Sequence, residues 1–329
     1  MNNRTMNKRT LPAIAIASTV ASFLFAASAL AQPAADRDRC TNADGALPPD
    51  AVIAACTAVT DAYARGELGL PEAAAAYVSR GSAYATVHQR DLATADYDRA
   101  IAVYDRAIGT ASTDANVYLG RGNVNFLKRD YDRAIADYDR VLALDPKIAD
   151  AFLGRGRSYY QKKDFDRAIA SYDRTVELEP DHLEALAERG DANEQSGRYA
   201  LAIEDYSRLI ALQPMNSKAW NNRCWDRAVT GELQPALADC NEALRLAPED
   251  VDAMDSRGFT YLRLGQFDKA IADYDAVLAR SPRQPDSLFG RGIARLRTGN
   301  AAGGQADIAA AKAIEPDIVE TYAAYGVHE

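Results

Sequence analysis

The residues of this chain best placed to do chemistry are its four cysteines. Cys40 and Cys56 lie 16 residues apart, and so do Cys224 and Cys240. An even number behind an export-type leader fits two disulfide bonds better than a metal site. Four cysteines allow three connectivities, and four reduced, buried thiols are the alternative. Zinc-type chemistry needs ligands gathered at short spacing. No Cys-x-x-Cys, His-Glu-x-x-His or His-rich tract occurs, and His88, His182 and His328 are far apart. Acyl and phosphoryl transfer have signatures too, but there is no Gly-x-Ser-x-Gly, no glycine-rich phosphate loop and no Cys/His couple. Gly303-Gly304 lacks a strand, loop and helix around it. Carboxylates are abundant but recur at fixed intervals, as on solvated helix faces. These residues point away from an enzyme and call for neither a metal nor another cofactor.

The leader is legible from charge and hydropathy. Arg4, Lys8 and Arg9 precede an uncharged apolar stretch, residues 11–30, which ends in Ala29-Leu30-Ala31. This order of charge, apolar run and small residues is that of a secretory signal, residues 1–31, with a mature chain that begins at Gln32. A retained anchor is the rival reading, because 20 apolar residues just reach across a bilayer. Pro12 and the many alanines and serines make it a weak spanning helix. The expected product is exported, periplasmic or secreted, with no stable membrane insertion after cleavage. Removing the leader takes away three of the 38 basic residues and none of the 47 acidic ones, leaving a net charge of −12. Such a surface does not attract nucleic acid or anionic lipid.

The elements that position these residues repeat. Pro146, Pro180, Pro214, Pro248, Pro282 and Pro316 are each 34 residues apart. Counting each proline as position 32 gives repeats at 115–148, 149–182, 183–216, 217–250, 251–284 and 285–318. Position 8 then reads Gly122, Gly156, Gly190, Cys224, Gly258 and Gly292, and position 20 reads Ala134, Ala168, Ala202, Ala236, Ala270 and Gly304. Small residues there let two antiparallel helices approach closely. Within 149–182, Phe152, Tyr159, Ile169, Tyr172 and Val176 recur at helical spacing, and acidic-proline junctions separate the helices.

A 34-residue period with these residues resembles the tetratricopeptide repeat. The resemblance implies an all-α fold, an α-solenoid of tandem helix-turn-helix hairpins forming a right-handed superhelix. One hairpin cannot bury its own apolar face, so neighbours must stack. An earlier copy, 74–114, is in register at Tyr77, Gly81, Tyr84, Ala93 and Tyr97 but is 41 residues long, because Tyr-Asp-Arg-Ala-Ile is duplicated. The heptad adds about two turns without rotating the apolar face much, so its second helix is expected to overhang its neighbours as far as Gly109. Residues 32–73 read as a degenerate hairpin and 319–329 as a truncated capping helix with Tyr322 and Tyr325 at positions 4 and 7. Asn300, Gly303 and Gly304 weaken the second helix of the repeat at 285–318, which is expected to fray.

Position 7 is arginine in all seven repeats: Arg80, Arg121, Arg155, Arg189, Arg223, Arg257 and Arg291. These form either an anion-binding row or, preferred here, partners for the position 23 carboxylates Asp96, Asp137, Asp205, Asp239, Asp273 and Asp307 on the facing helix. A charge held between helices needs a partner to offset desolvation. Arg133 with Asp137 and Lys269 with Asp273 are read as i,i+4 pairs on an outer face.

Positions 2, 5, 9 and 12 share the stripe opposite the packed face. The family resemblance implies that this stripe lines a concave groove that binds proteins or peptides. Its first part is Asn116, Asn123, Phe126, Arg157 and Tyr160, followed by Glu184, Asp191 and Glu194. Its second part is Asn221, Trp225, Asp255, Phe259, Leu262, Phe289 and Ile293. Trp225 is expected to face the groove and Trp220, at position 4, to be buried. Position 5 holds no lysine, so a clamp for a C-terminal carboxylate is not implied. Because both cysteine pairs occupy positions 8 and 24 of a hairpin, the expected links are Cys40 to Cys56 and Cys224 to Cys240, although position 8 is expected to face position 20 more directly. The function expected is a non-enzymatic envelope scaffold for protein or peptide partners; the alternative is a receptor for one diffusible peptide or polymer fragment.

Overall fold

The structure, a computed structural model, describes residues 34–42, 45–109 and 113–328; the leader lies outside the described residues. The helices run α1 (Ala34–Thr41), α2 (Pro49–Ala64), α3 (Leu70–Thr86), α4 (Arg90–Gly109), α5 (Ala115–Leu127), α6 (Tyr131–Leu144), α7 (Ala149–Gln161) and α8 (Phe165–Leu178). They continue as α9 (Leu183–Gln195), α10 (Tyr199–Leu212), α11 (Ser217–Thr230), α12 (Leu233–Leu246), α13 (Val251–Arg263), α14 (Phe267–Arg280), α15 (Pro285–Arg297), α16 (Ala301–Ile314) and α17 (Ile318–Ala324). Among the described residues there is no strand, and the all-α helical-repeat expectation holds. The helices fall into two compact units, one carrying α1–α8 and ending at Glu179, the other carrying α9–α17 and beginning at Pro180.

The 34-residue punctuation has a local cause. α6, α8, α10, α12, α14 and α16 each end two residues before a position 32 proline. A proline pushes the residue before it out of helical conformation. The capping residues Asp145, Glu179, Gln213, Ala247, Ser281 and Glu315 accordingly have φ between −143° and −130° with positive ψ. The turn inside each hairpin pivots on position 15, which is left-handed in every repeat: His88, Arg129, Lys163, Gly197, Gly231, Gly265 and Gly299. Side chains that start the next helix cap it, as when Asp130 and Asp164 accept from the backbone N–H three residues on. Asn300 does the same for Gly303 at 3.1 Å. The helix expected to fray is therefore formed from Ala301 onwards, with Asn300 as its cap rather than a break within it. Gly304 sits where a Cβ would meet the Gly292 carbonyl at 2.8 Å, so the close approach requires glycine there.

Within each unit, the first helix of a hairpin (A) packs along its second (B), and B packs on the next A helix. Successive A helices also touch, α5 with α7, α11 with α13 and α13 with α15, and no two B helices come as close. The A helices thus form the inner side of each stack.

One tyrosine holds two interfaces. The Tyr138 ring on α6 covers Gly122 of its own A helix, where a Cβ would meet it at 3.0 Å. It also covers Gly154 of the next A helix, where the approach would be 2.5 Å. Any larger side chain at either glycine would displace a fully buried ring.

The duplicated heptad divides these two tasks. On the 20-residue α4, Tyr97 covers Gly81 within the hairpin and Tyr104 covers Gly120 of the following A helix. Asp105, seven residues after Asp98, receives Arg121 at 2.6 Å, as Asp139 receives Arg155 at 2.8 Å. Lys128 reaches Asp98 just as Lys162 reaches Asp132. α4 does extend to Gly109, but instead of overhanging, its second heptad forms the interface with α5. α3, at 17 residues, is lengthened to match it.

Deleting residues 98–104 should return both tasks to Tyr97 and give Lys128 a partner in Asp91. Thermal unfolding followed by circular dichroism should then shift by no more than about 5 °C, whereas deleting only residues 98–101 should lower the midpoint by more than about 10 °C by rotating the apolar face.

Candidate functional site

The charged row between the helices is structural. Arg80, Arg121, Arg189, Arg223, Arg257 and Arg291 each bind the position 23 carboxylate with two guanidinium nitrogens, at 2.5–3.2 Å. Arg155, whose position 23 residue is Ser171, donates to that hydroxyl at 3.2 Å instead. A second arm reaches back to the preceding B helix: Arg121 to Asp105, Arg155 to Asp139, Arg223 to Ser207, Arg257 to Asn241 and Arg291 to Asp275. Each of these five arginines therefore ties three helices together. Bonds to Asp137, to Asp273 and to Asp307 hold Arg121, Arg257 and Arg291 above the ordinary arginine range despite burial. At Arg80, burial is the largest influence and works to lower the value, but the hydrogen bond and charge of Asp96, with Tyr84 and Tyr77, together raise it. Removing one member of such a buried pair costs about 3–5 kcal/mol. The expected outer-face pairs are replaced: Arg133 lies 3.4 Å from Asp130 and Lys269 donates to Gln266, because Asp137 and Asp273 point inward.

Both expected cysteine pairs lie at disulfide distance, with Cα separations of 4.6 Å for Cys40 and Cys56 and 5.3 Å for Cys224 and Cys240. Position 8 faces position 20, as at Gly292 and Gly304, and it also meets position 24 directly, as at Gly122 and Tyr138; the second cysteine pair fills this last contact in its hairpin.

On the inner face of the first unit, Asn116 is exposed and Asn123, Phe126, Arg157 and Tyr160 are half-buried. Phe126 packs on Tyr131 with ring centroids 5.6 Å apart, and Tyr160 on Phe165 at 5.5 Å, so each ring is held by the turn that follows its helix. Asn123 accepts a hydrogen bond from the Tyr138 hydroxyl at 2.8 Å. Position 9 thus has a structural duty that sequence reasoning missed, satisfying the one polar atom of the buried tyrosine.

The second unit repeats this duty. Tyr206 donates to Asp191 at 2.6 Å, Asn222 donates to the same carboxylate at 3.2 Å, and Glu184 and Glu194 lie alongside on α9. Burial first, then Asp191, Glu194 and Asp226, push the Tyr206 phenol well above its usual range. At 251–284, however, position 9 is Phe259, and the buried Tyr274 hydroxyl has no hydrogen-bond partner among the described residues.

What Phe259 gains in place of that bond is an aromatic cluster. Trp225 on α11 packs on Phe259 at 4.8 Å, and Phe289 on α15 lies 4.8 Å from Tyr322 of α17. Tyr322 stands edge-on to Phe259 at 5.7 Å and Tyr325 edge-on to Trp225 at 5.6 Å. The groove residues Asn221, Trp225, Asp255, Phe259, Leu262, Phe289 and Ile293 are therefore buried rather than open, at 0–8% exposure. The order expected for the tryptophans is reversed: Trp220 is only half-buried, with its indole N–H donating to the Pro214 carbonyl at 2.9 Å. The reason lies in α17. Its register suggested a further A helix stacked on α16, but it makes only slight contact with α16 and turns its aromatic side onto the inner face of α11, α13 and α15.

Among the described residues, no group of three or more His, Cys, Asp or Glu could hold a metal ion, and no helix is long and apolar enough to cross a membrane.

Residues 89–147, 153–217, 197–251 and 257–317 match the sequence profile of the tetratricopeptide repeat. No curated protein matches the chain at the level of sequence. Among the solved structures that share the fold are the following three. YrrB, a repeat protein with an unusual peptide-binding site, is 23% identical over 56% of this chain and 95% of its own, with a TM-score of 0.52. PilW, a type IV pilus biogenesis factor, is 23% identical over 61% and 94%, with a TM-score of 0.53. A repeat protein from Parabacteroides merdae is 17% identical over 76% and 98%, with a TM-score of 0.56.

The two tyrosines with unlike partners should respond differently to loss of the hydroxyl. Tyr206→Phe removes a bond to a carboxylate and should lower stability in urea unfolding by about 1.5 kcal/mol or more, whereas Tyr274→Phe removes an unpaired buried hydroxyl and should leave stability unchanged or raise it by up to about 1 kcal/mol.

Proposed function

This chain belongs to the tetratricopeptide-repeat family, and we propose that it is a non-enzymatic scaffold of the cell envelope that holds protein or peptide partners along the inner face of its A helices. The observation that carries the reading is a division of labour among positions. Arginine at position 7, glycine at position 8 and tyrosine at position 24 are absorbed by contacts that repeat from hairpin to hairpin. The inner stripe of the first unit does not repeat: an exposed Asn116 and half-buried Asn123, Phe126, Arg157 and Tyr160 offer amides, rings and one cation in an irregular order. A regular frame that presents an irregular, partly apolar face suits recognition of an extended segment. Rings already fixed by a neighbour lose little entropy on binding and are typical sites of concentrated binding energy.

An export-type leader pattern and the cysteine pairs support the envelope part of the reading. The charged and apolar leader is a secretory pattern, and two cysteine pairs at disulfide distance fit an oxidising compartment such as the periplasm or the cell exterior.

Photo-crosslinking in intact cells tests this. A crosslinker at Phe126 or at Tyr160 should trap the same large proteins, and Arg157→Glu should weaken both adducts; one at Ala170, exposed on α8, should trap none of them. Equal capture from Ala170, or only a small copurifying ligand at the inner positions, would reject the scaffold reading.

A further inference from the structure

The inner face of the second unit is occupied, and its occupant comes from the same chain. Every other A helix from α3 onwards that follows a B helix within its unit packs along it, yet α17 makes only slight contact with α16 and lies across the A helices instead. Ile318, Tyr322, Tyr325 and Val327 are all buried against Trp225, Phe259, Leu262, Phe289 and Ile293. The Tyr322 hydroxyl donates to the Asp286 carbonyl at 2.9 Å, and Arg297 donates to the His328 carbonyl at 3.0 Å. Tyr325 stands beside Tyr199, whose phenol is raised by burial and then by Tyr325, Glu194 and Asp226. The chain turns away at Gly326, with φ at 77°, and the Val327 N–H closes back on the Tyr322 carbonyl at 2.9 Å.

Two physical features mark this arrangement as a ligand in its site rather than an ordinary cap. First, α17 has seven residues, and a helix that short has little stability of its own. It persists because its aromatic side is docked. Second, the site is shaped for that docking at the expense of the frame beneath it, since Phe259 takes the position whose amide or carboxylate elsewhere satisfies the buried tyrosine, and Tyr274 is left unpaired.

We propose that α17 is a displaceable occupant of a peptide site formed by α11, α13 and α15, and that this site takes a helical segment of another protein bearing two tyrosines three residues apart. The partner's chemistry follows from what α17 presents. Tyrosines at i and i+3 share one helix face; their rings fill the gaps between Trp225, Phe259 and Phe289. The Tyr322 hydroxyl donates to the Asp286 carbonyl, and the Tyr325 hydroxyl shares a hydrogen bond with that of Tyr199, beside which stand the carboxylates of Glu194 and Asp226. A segment that brought extra carboxylates beside these would be repelled. While α17 is docked, its tether gives it a high effective concentration, so only a partner that matches the same contacts, or an event that loosens α17, opens the site. The proposal rests on the reading of the inner face as a binding surface, but it concerns a part of that face separate from residues 116–160.

The test uses the full chain and one probe, a fluorescein-labelled peptide with the sequence of residues 315–329. Fluorescence anisotropy should show the Tyr322→Ala/Tyr325→Ala double variant binding this peptide at least tenfold more tightly than the unaltered chain. Adding Phe259→Ala should abolish that gain, and a peptide with both tyrosines changed to alanine should not bind. Equal binding to the unaltered chain and the double variant would overturn the proposal. Amide hydrogen exchange on the unaltered chain decides the matter if the variant fails to fold: residues 318–325 should exchange at least 100-fold faster than the core of α13 and α15. Exchange of α17 only together with those helices would make it a permanent part of the core and overturn the proposal. Loss of the crosslinks at Phe126 and Tyr160 would leave these outcomes unaffected, so the two readings fail separately.

Discussion

Much of this structure depends on a tyrosine ring laid against bare helix backbone. At position 24, Tyr138 covers glycines on two successive A helices, and the same geometry recurs where Tyr274 lies against Gly258 and Gly290. A ring in van der Waals contact with two backbones fixes both the distance within a hairpin and the step to the next one. Its hydroxyl must be buried with it, and this creates the demand that position 9 meets with Asn123 or Asp191. The arginine at position 7 works beside the ring, drawing in its own B helix, mostly through a buried carboxylate, and in five hairpins a polar side chain of the preceding one. Where the ring is absent, at Cys240, a cysteine pair takes its place in the same contact.

From that constraint follows the split between frame and face. Positions 7, 8 and 24 have little freedom, because each meets a neighbour on a fixed step. Positions 2, 5 and 12 have more, because they look across the inner side of the stack. In the first unit that side carries partly open rings and amides. In the second it carries five aromatic groups, three from the frame and two from the α17 segment, dense enough to displace a hydrogen bond from the layer below. The two units have thus put the same positions to different uses without altering the frame.

The frame was largely legible in the sequence because its cause is periodic. The prolines fix where B helices end, and the arginine and aspartate rows predicted the pairs found. The 16-residue cysteine spacings matched positions 8 and 24. The failures came where a local pattern had more than one tertiary outcome. Tyr322 and Tyr325 continued the repeat register, yet their rings found aromatic partners across α11, α13 and α15, which a periodic pattern does not encode. Arg133 and Asp137 had ideal spacing for a surface pair, but Asp137 could satisfy only one geometry and the buried arginine took it. Asn300 looked like a break inside a helix because its place one residue before the helix start was misjudged. The second heptad of α4 was recognised as a duplication, but its role at the interface with α5 emerged only when Tyr97 and Tyr104 could be seen against different glycines.

Residue-resolved amide hydrogen exchange in the Tyr138→Leu variant tests most directly whether one ring governs two interfaces. Leucine keeps apolar contact but cannot cover both backbones or reach Asn123. Protection should fall in α5 and α6 and, to a similar extent, in α7, the next hairpin's A helix. Loss confined to α5 and α6, with α7 as protected as before, would contradict this account.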